Sequence, residues 1–429
     1  MKRIITHLQA YKLIYIGAFI HILFYLSASQ TGWLNGLFTG DSLHYCCRGM
    51  DFYQVPDGAY AFWHGGNLTG APLPNGVIYA QNHTVNSNVY HPLFTLTLGS
   101  WLILFQPEQT FYVWMLCKLL ITAFVIGYFL WTFRESPYLG FATFILLANC
   151  TQYQEIAIGQ FQFVLNIFLL LLLINLARGK HTVRSGFLYY LTLLAKPIGL
   201  LWLPLFVTKK RLRIALLGFG FFAFSTLVFQ VGSLGNYYID NLSFHLFSPG
   251  DYGPDQITTL ASLLSYTTHW PKMILQGLQY LFLASVLLLG ALRRVHISKG
   301  IFLMVVYYLF FYDFVYEYHY TTLAPVLAIC FLCCPEFRTY TSRCLILWTC
   351  LPSAFVLLNY FHIGTYWDNM YGANVTPLGW QLMLVSRLLP ILLLTINVVR
   401  PDIVPAYRQV KAFWLAMRKV NDHLEVFGI

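Results

Sequence analysis

FQFVLNIFLLLLLINLARGKHTVR, residues 161–184, joins a long apolar run to a short basic loop. The apolar part, Phe161–Ala177, reaches the length of about 17–25 residues that a helix needs to cross a bilayer. The run is continuous rather than alternating, so it predicts a helix and not a strand of a membrane barrel. Positive residues in short loops mark the cytoplasmic side of a membrane. This stretch therefore predicts a membrane helix that ends on the cytoplasmic side at Arg178–Arg184.

The same pattern recurs along the chain. Further apolar runs cover Leu13–Ser29, Phe111–Phe133, Ile214–Val231, Met273–Leu292 and Leu378–Val398, and further basic loops cover Lys209–Arg213, Arg293–Lys299 and Arg338–Arg343. Of the 429 residues, 58% are hydrophobic and 10% are charged, whereas a soluble domain carries about 25% charged residues. The net charge of +10 lies largely in these loops, which argues against a nucleic-acid-binding face. The sequence predicts an all-α integral membrane protein, with residues 1–429 forming one polytopic domain.

The charge rule also predicts which loops lie outside the cytoplasm. Lys2 and Arg3 place the N-terminus inside, so the first helix delivers residues 30–92 to the outer side. This first outer loop is the longest polar stretch of the chain, and a loop of such length is usually functional or disordered. A second outer loop is predicted at residues 232–271 and a cytoplasmic tail at residues 399–429.

Two segments do not fit a simple alternation of membrane helices. Three apolar runs lie between the first outer loop and Gln160, and they cannot all cross if Gln160 is to lie outside. Either Tyr90–Phe105 or Tyr138–Cys150 is therefore predicted to be partial. The run Phe187–Val207 has basic loops on both sides and a Lys-Pro pair at its centre, residues 196–197, where proline interrupts a helix. We predict that it enters the membrane and returns as two half-helices.

The first outer loop contains two carboxylates, Asp51 and Asp57, in the stretch GMDFYQVPDGAYAFWHGG. A positioned carboxylate can take the proton from a hydroxyl that attacks an anomeric carbon, a contribution of roughly 10²–10⁴ in rate. Aromatic neighbours that bury such a carboxyl would raise its pKa toward a useful value. The plainer interpretation is an aspartate that caps a helix at the membrane surface. The chain has no Asp-x-Asp motif, and we predict neither a metal site nor a cofactor.

A second cluster, YDFVYEYHYTTLAP, is predicted at the outer end of a helix, where Tyr316 and Tyr320 would share a face. It includes Asp313, Glu317 and His319. Ionisable groups at such depth in a membrane protein are expensive and usually functional. The histidine could hold a phosphate through a charged hydrogen bond. A belt of Tyr and His side chains at the membrane interface is the alternative interpretation.

Lys196 is the third sign of a site, because a lysine near the middle of an apolar segment is costly unless it is paired. A lipid phosphate, an internal glutamate or water reached by snorkelling could each be its partner. Together, a base, an anion clamp and a counter-charge are the parts that a glycosyl phosphate lipid and a hydroxyl acceptor would need. The candidate residues are Asp51 or Asp57 for the base, and His319, Lys196 and Arg48 for the phosphate ligands. The substrate-binding candidates are Tyr53, Asp57, Gln160, Glu317 and Tyr320.

The order of these motifs resembles that of glycosyltransferase family 87, the polyprenol-phosphate-mannose-dependent mannosyltransferases with a GT-C fold. The motifs are Asp-Phe-Tyr (51–53), Tyr-His-Pro-Leu (90–93), Gly-Gln-Phe-Gln (159–162), Lys-Pro (196–197) and Tyr-His-Tyr (318–320). The resemblance runs from about Asp51 to Pro325, and it implies a bundle of roughly 10–13 transmembrane helices with a long first outer loop. The family usually has a proline pair where this chain has His91-Pro92, and often has Ser-Pro-x-Ser-Trp before the histidine, where this chain differs.

The resemblance also implies roles and partners. Asp51 would be the general base on the acceptor hydroxyl, and His319 would hold the donor phosphate. The donor would be a polyprenyl-phosphate sugar, mannose or a related one, and a single displacement would invert the anomeric centre. The acceptor would be a hydroxyl of a lipid, glycan or protein, and the other partners would be membrane lipids, with no nucleic acid. The expected place is a bacterial inner membrane, with the active site on the extracytoplasmic side.

Three other functions fit parts of the same pattern. A transporter or flippase of a lipid-linked sugar would share the aromatic loops and the buried lysine, but transporters usually show matching broken helices in two halves, and only one such segment is evident. A membrane glycan polymerase or ligase would concentrate function in a large late outer loop with Arg and His, whereas residues 232–271 contain no Arg. An inactive membrane scaffold would not explain the cost of Lys196.

Overall fold

The computed structural model describes residues 2–34, 49, 51–69, 79–80, 88–179, 182–209, 211–231, 238–239, 259–261, 264, 270–291, 295–312, 315–352, 382 and 384–426. These residues form helices and turns, and no strand occurs among them. The α-helices are α1 (Lys2–Leu26), α2 (Gln54–Trp63), α3 (Pro107–Thr132), α4 (Leu139–Ala148), α5 (Thr151–Ile158), α6 (Gln162–Ala177), α7 (Thr182–Ala195), α8 (Leu203–Thr208), α9 (Leu212–Val231), α10 (Lys272–Ala291), α11 (Ile297–Phe311), α12 (Leu323–Cys333), α13 (Tyr340–Thr349) and α14 (Leu389–Val426). Shorter helical pieces are Pro92–Phe94, Ser100–Leu102, the π-turns Ser27–Thr31, Thr95–Gly99 and Leu384–Leu388, and the 3₁₀ segments Pro197–Trp202, Glu317–Thr322 and Pro335–Arg338.

Five helical stretches in the described part of the chain are long and apolar enough to cross a membrane. They are Tyr11–Gln30, Pro107–Thr132, Leu212–Phe229, Met273–Gly290 and Val385–Pro405. Further apolar helices, among them α4, α6 and α11, are shorter and lie in the interior of the bundle. The prediction of an all-α integral membrane protein is confirmed.

The segment from α4 to α5 crosses the bundle beside α1 and runs in the same direction. The main chain of Phe144 packs against Gly17, and the carbonyl of Leu147 lies 3.2 Å from Nδ1 of His21. Farther along, the hydroxyl of Tyr153 lies 3.1 Å from that of Ser27. Positions that advance together on both helices indicate parallel packing, so this kinked pair of helices carries the chain to the end of α1.

Of the two candidates for a partial segment, the one that contains Pro92–Leu102 is the partial one. A Cβ on Gly99 would lie 2.7 Å from both the carbonyl oxygen of Val55 and Cβ of Ala59, so this stretch packs closely against α2. The far end of this stretch also lies beside the first outer loop, because the Tyr79 hydroxyl donates to the carbonyl of Phe105 at 2.6 Å. The segment therefore begins and ends beside the first-loop residues, and α3 starts from that same end.

The predicted break at residues 196–197 is confirmed. The Tyr189 hydroxyl of α7 donates to the carbonyl of Gly199 at 2.9 Å, and its ring lies 4.8 Å from that of Phe206 in α8. These contacts fold α8 back along α7. The next helix, α9, then runs parallel to α7, since a Cβ on Gly186 would lie 2.7 Å from Cβ of Leu217 and the ring of Phe221 packs on Tyr190, about one turn farther along each helix.

The prediction for the tyrosine-histidine cluster was wrong in its local structure. Helix α11 ends at Phe311, and the cluster lies in the 3₁₀ segment Glu317–Thr322 before α12. A 3₁₀ helix has three residues per turn, so side chains four apart do not share a face. Tyr316 stacks on Tyr318 at 5.7 Å, whereas the ring of Tyr320 lies 5.4 Å from the Arg387 guanidinium.

A buried ion network lies at the end of the bundle opposite the tyrosine-histidine cluster. The Lys299 ammonium lies 2.5 Å from Asp402 and 3.1 Å from Glu336. Because Asp402 belongs to α14, this network joins the last helix to α11. Helix α14 continues without interruption into the predicted tail, and most of the predicted second outer loop, residues 232–271, lies outside the described residues.

Candidate active site

Phe52 anchors the first outer loop to the helical bundle. Its ring is fully buried, stacks on Phe161 at 5.9 Å and on Trp114 at 6.4 Å, and meets Phe111 edge-on at 5.7 Å. Aromatic pairs in these geometries stabilise beyond the area that they bury. Because Phe52 follows Asp51 and Phe161 follows Gln160, the stacked rings bring two of the predicted site residues together.

The carboxylate of Asp51 is held by two amides. Oδ1 accepts a hydrogen bond from Nε2 of Gln54 at 3.1 Å, and Oδ2 accepts one from Nε2 of Gln160. The Gln160 amide is itself fixed, because its Oε1 accepts from the Tyr90 hydroxyl at 3.0 Å and its Nε2 lies 3.1 Å from the Tyr318 hydroxyl. A carboxylate accepts only, so the nitrogen of each amide must face it. The result is a buried, oriented carboxylate.

Glycine allows the two chain segments to approach this closely. Gly159 has a φ of +71°, and a Cβ there would lie 2.6 Å from Cβ of Phe52. Gly49 also has a φ of +71°, and its N–H donates to the carbonyl of Ala157 at 3.3 Å. Only glycine adopts this backbone conformation without steric strain. The loop is thus joined through its main chain to the end of α5.

Lys196 and His319 form the second half of the site. The N–H of Tyr316 donates to Nδ1 of His319 at 2.8 Å, so in the neutral imidazole the proton belongs on Nε2. That Nε2 lies 3.3 Å from the ammonium nitrogen of Lys196, which also lies 5.3 Å from the centre of the Tyr318 ring. An ammonium and a protonated Nε2 are both donors. An anion that lies beside the two nitrogens can accept a hydrogen bond from each, which is the chemistry of a phosphate with its several acceptor oxygens.

Tyr318 connects the two halves. Its hydroxyl meets the Gln160 amide that holds Asp51, and its ring packs at 4.3 Å on His319 and faces Lys196. The structure therefore brings Asp51, Gln160, Lys196 and His319 together at one end of the bundle.

Two other candidates from the second cluster, Glu317 and Tyr320, make packing contacts next to the site. Glu317 forms an ion pair with Arg387, which is almost fully buried and also donates to the carbonyl of Thr349 at 3.0 Å. The guanidinium lies 5.4 Å from the ring centre of Tyr320. These contacts join the 3₁₀ segment that carries His319 to α13 and the start of α14.

The remaining first-loop candidates lie beside the Asp51 cluster. The Tyr53 hydroxyl donates to the carbonyl of Pro107 at 2.9 Å, which fixes the loop to the start of α3. Asp57 is buried on α2, where its Oδ1 accepts from the N–H of Ala80 at 3.1 Å. Arg48 and Asp313 lie outside the described residues.

Four residues of the site escaped the prediction from sequence. Gln54 and Tyr90 lie within the sequence motifs, but no contact was predicted for either residue. Lys118 and Glu155 form a fully buried ion pair at 2.8 Å, directly behind Gln160. A sequence signal exists for Lys118, an isolated charge in an apolar membrane helix where charge is costly, whereas Glu155 lies in the polar stretch TQYQE and carries no such signal.

Residues 88–311, just over half of the chain, match the sequence profile of glycosyltransferase family 87. The chain belongs to glycosyltransferase family 87. A search of curated proteins found no match. Membership and the apolar helices together make this chain a membrane glycosyltransferase, as the motifs predicted. The matched region includes Gln160 and Lys196, whereas Asp51 lies well before its start and His319 lies shortly after its end.

Replacement of Gly159 by Ala should disrupt the site of this glycosyltransferase. The added Cβ collides with Phe52, and overpacking of this kind costs about 1–3 kcal/mol, added to about 1–2 kcal/mol for the left-handed backbone. Gly179→Ala is a matched control, since Gly179 has a φ of +65° and no atom of the described residues lies within 4 Å of the added Cβ. Thermal unfolding in detergent should show the larger loss for Gly159→Ala, and only that variant should lose sugar transfer. Equal effects of the two changes would contradict this role.

Asp57 should make the stability of the protein depend on pH. Burial raises the pKa of the Asp57 carboxyl from 3.8 to about 7. Between these values the unfolded chain releases a proton that the folded chain keeps, so stability falls as pH rises toward 7. Asp57→Asn removes this effect, and its amide oxygen can still accept from Ala80. The melting temperature of the variant minus that of the wild type should grow from pH 4 to pH 8, and a constant difference would contradict the assignment.

Proposed function

We propose that this glycosyltransferase moves a sugar, mannose or a related hexose, from a polyprenyl-phosphate donor to a hydroxyl acceptor, with inversion. The observation that carries the proposal is that an oriented carboxylate, Asp51, and a two-donor anion clamp, Lys196 with His319, lie at one end of the bundle and are joined through Gln160 and Tyr318. A base and a phosphate clamp on one surface are the two parts that this transfer requires.

The surroundings of the clamp favour a lipid-linked donor. Lys196 lies at the bend between α7 and the returning segment Pro197–Trp202, where it is partly buried among helices rather than on a soluble domain. A phosphate bound by both Lys196 and His319 would lie among helices, where a polyprenyl chain can extend into hydrocarbon. A donor phosphate held by two cationic or N–H donors is also a better leaving group, because the donors stabilise the charge that develops on it.

The carboxylate is arranged to receive a proton. A carboxylate has about four lone-pair sites, and the two amides each occupy one of its oxygens. The Oε1 atom of Gln54 is buried and has no hydrogen-bond partner among the described residues. It belongs to the same amide that donates to Asp51. A second hydroxyl of the acceptor, next to the one whose proton goes to Asp51, could therefore donate to Gln54, and a buried acceptor is costly when it stays unpaired.

The reaction follows from these parts. As the acceptor oxygen attacks the anomeric carbon, its proton moves to Asp51. The bond from the anomeric carbon to the phosphate oxygen breaks, and its electron pair leaves with the phosphate between Lys196 and His319. A single in-line displacement inverts the anomeric centre, so a β-linked donor gives an α-linked product. The acceptor would be a hydroxyl of a lipid, a glycan or a protein.

The charge distribution supports a site on the extracytoplasmic side of the membrane, which we propose to be the inner membrane of a bacterium. The basic loops around Arg178, Lys209 and Arg338 lie at the end of the bundle opposite the Asp51 cluster, where Lys209 donates to the carbonyl of Val295 at 2.7 Å. Basic loops of membrane proteins face the cytoplasm. By that rule the cluster faces the other side.

Asp51→Asn should lower sugar transfer by roughly 10²–10⁴-fold, the usual contribution of a general base. The assay follows transfer from a panel of labelled polyprenyl-phosphate sugars, including mannose, in membranes that contain the full-length protein. Asp57→Asn is the matched control, because it makes the same change in the same loop where the side chain faces Ala80. It should keep turnover close to that of the wild type at neutral pH.

Two results would contradict the proposal. Unchanged turnover of Asp51→Asn would remove the base. A wild-type protein that uses no member of the panel but transfers sugar from a sugar nucleotide would remove the lipid-linked donor.

A further inference from the structure

The buried pair of Lys118 and Glu155 has no part in the chemistry proposed above. Lys118 lies within the membrane-spanning part of α3 and is fully buried, with its ammonium 2.8 Å from Oε1 of Glu155 on α5. Replacing such a pair by well-packed apolar residues is often neutral or even stabilising. Stability alone is therefore a weak reason for two charges at this depth.

The contacts of the pair converge on one turn of the main chain. The Lys118 ammonium also lies 3.4 Å from the carbonyl oxygens of Glu155 and Gln160. Oε1 of Glu155 accepts in addition from the N–H of Phe163 at 3.2 Å, in the first turn of α6. The pair thus touches the end of α5, the turn itself and the start of α6. Gln160 lies in that turn.

This turn requires support. Gly159 has the left-handed backbone conformation, and the turn is in close contact with Phe52. A small rotation of the main chain here would move the Gln160 amide away from Asp51. Displacement of a catalytic group by about 1 Å can reduce a rate by roughly 10²-fold. The position of Asp51 thus depends on the position of the turn behind it.

We propose that the ion pair between Lys118 and Glu155 is a positioning pair, which fixes the main chain at Gln160 so that its amide orients the Asp51 carboxylate toward the acceptor. Neither charge touches the substrate. The inference rests on the proposed function, because it takes Asp51 to be the base.

The experiment compares three variants of the full-length protein in detergent: Lys118→Met with Glu155→Gln, Gln160→Leu, and all three changes together. The two charges are changed together because either one alone would remain buried without its partner, and the new amide oxygen still accepts from Phe163. Turnover and the donor KM are measured with labelled polyprenyl-phosphate mannose and membrane extract as acceptor. If that sugar is not transferred, the member of the panel that the wild type uses takes its place.

The pair variant and Gln160→Leu should each lower kcat by about 10- to 10²-fold, with the donor KM unchanged. The triple variant should be no slower than Gln160→Leu alone, because changes that act through one residue are not independent. Lys299→Met with Asp402→Asn, a buried pair at the opposite end of the bundle, is the control and should leave kcat unchanged.

Wild-type kcat in the pair variant or in Gln160→Leu would overturn the inference, as would reductions that multiply in the triple variant. Multiplied reductions are the result expected of a pair that only stabilises the fold. Failure of the positioning role can be told apart from failure of the proposed function. If Asp51→Asn keeps its turnover, the proposed function fails, whereas if Asp51→Asn is inactive and the pair variant is fully active, only the positioning role fails.

Discussion

The site depends on one hydrogen bond, from the amide of Gln160 to the carboxylate of Asp51, between segments that are far apart in the chain. The bond forms only because Gly159 lets the turn before α6 contact Phe52, whose buried ring fixes the first outer loop. A carboxylate held in this way occupies one position and one orientation. A polar loop therefore supplies the proposed base, while the membrane helices determine where that carboxylate lies.

Interrupted helices supply the other half of the site. The 3₁₀ segment Pro197–Trp202 follows the apolar helix α7, and the 3₁₀ segment Glu317–Thr322 precedes the apolar helix α12. Lys196 and His319 are in contact at the place where these two segments come together. Irregular backbone at membrane depth is tolerated where it is buried in protein or lines a cavity. Here the irregular segments turn an ammonium and an imidazole toward each other, and the ion pair of Glu317 with Arg387 holds the second segment against the last helix.

Hydropathy and the placement of charge were enough to predict the membrane helices and the break at Lys196, because both depend on local composition. The kink between α4 and α5, at Asn149, and the early end of α11 at Phe311 were not predictable, since each depends on packing across the bundle. Motif order brought Asp51, Gln160 and His319 into one hypothesis. It could not show that Gln160 holds Asp51 directly, because a contact between distant segments leaves no periodic pattern in a sequence. The contact of Lys118 with Glu155 was missed for the same reason.

The most direct test of this account is a structure of the full-length protein with a non-transferable donor, a polyprenyl phosphonate analogue of the sugar phosphate. The account predicts phosphonate oxygens within hydrogen-bond distance of the Lys196 ammonium and of Nε2 of His319. It also predicts that the anomeric carbon faces the Asp51 carboxylate across a space that fits one hydroxyl group. A phosphonate bound at the opposite end of the bundle, or a sugar with Asp51 out of reach, would contradict it.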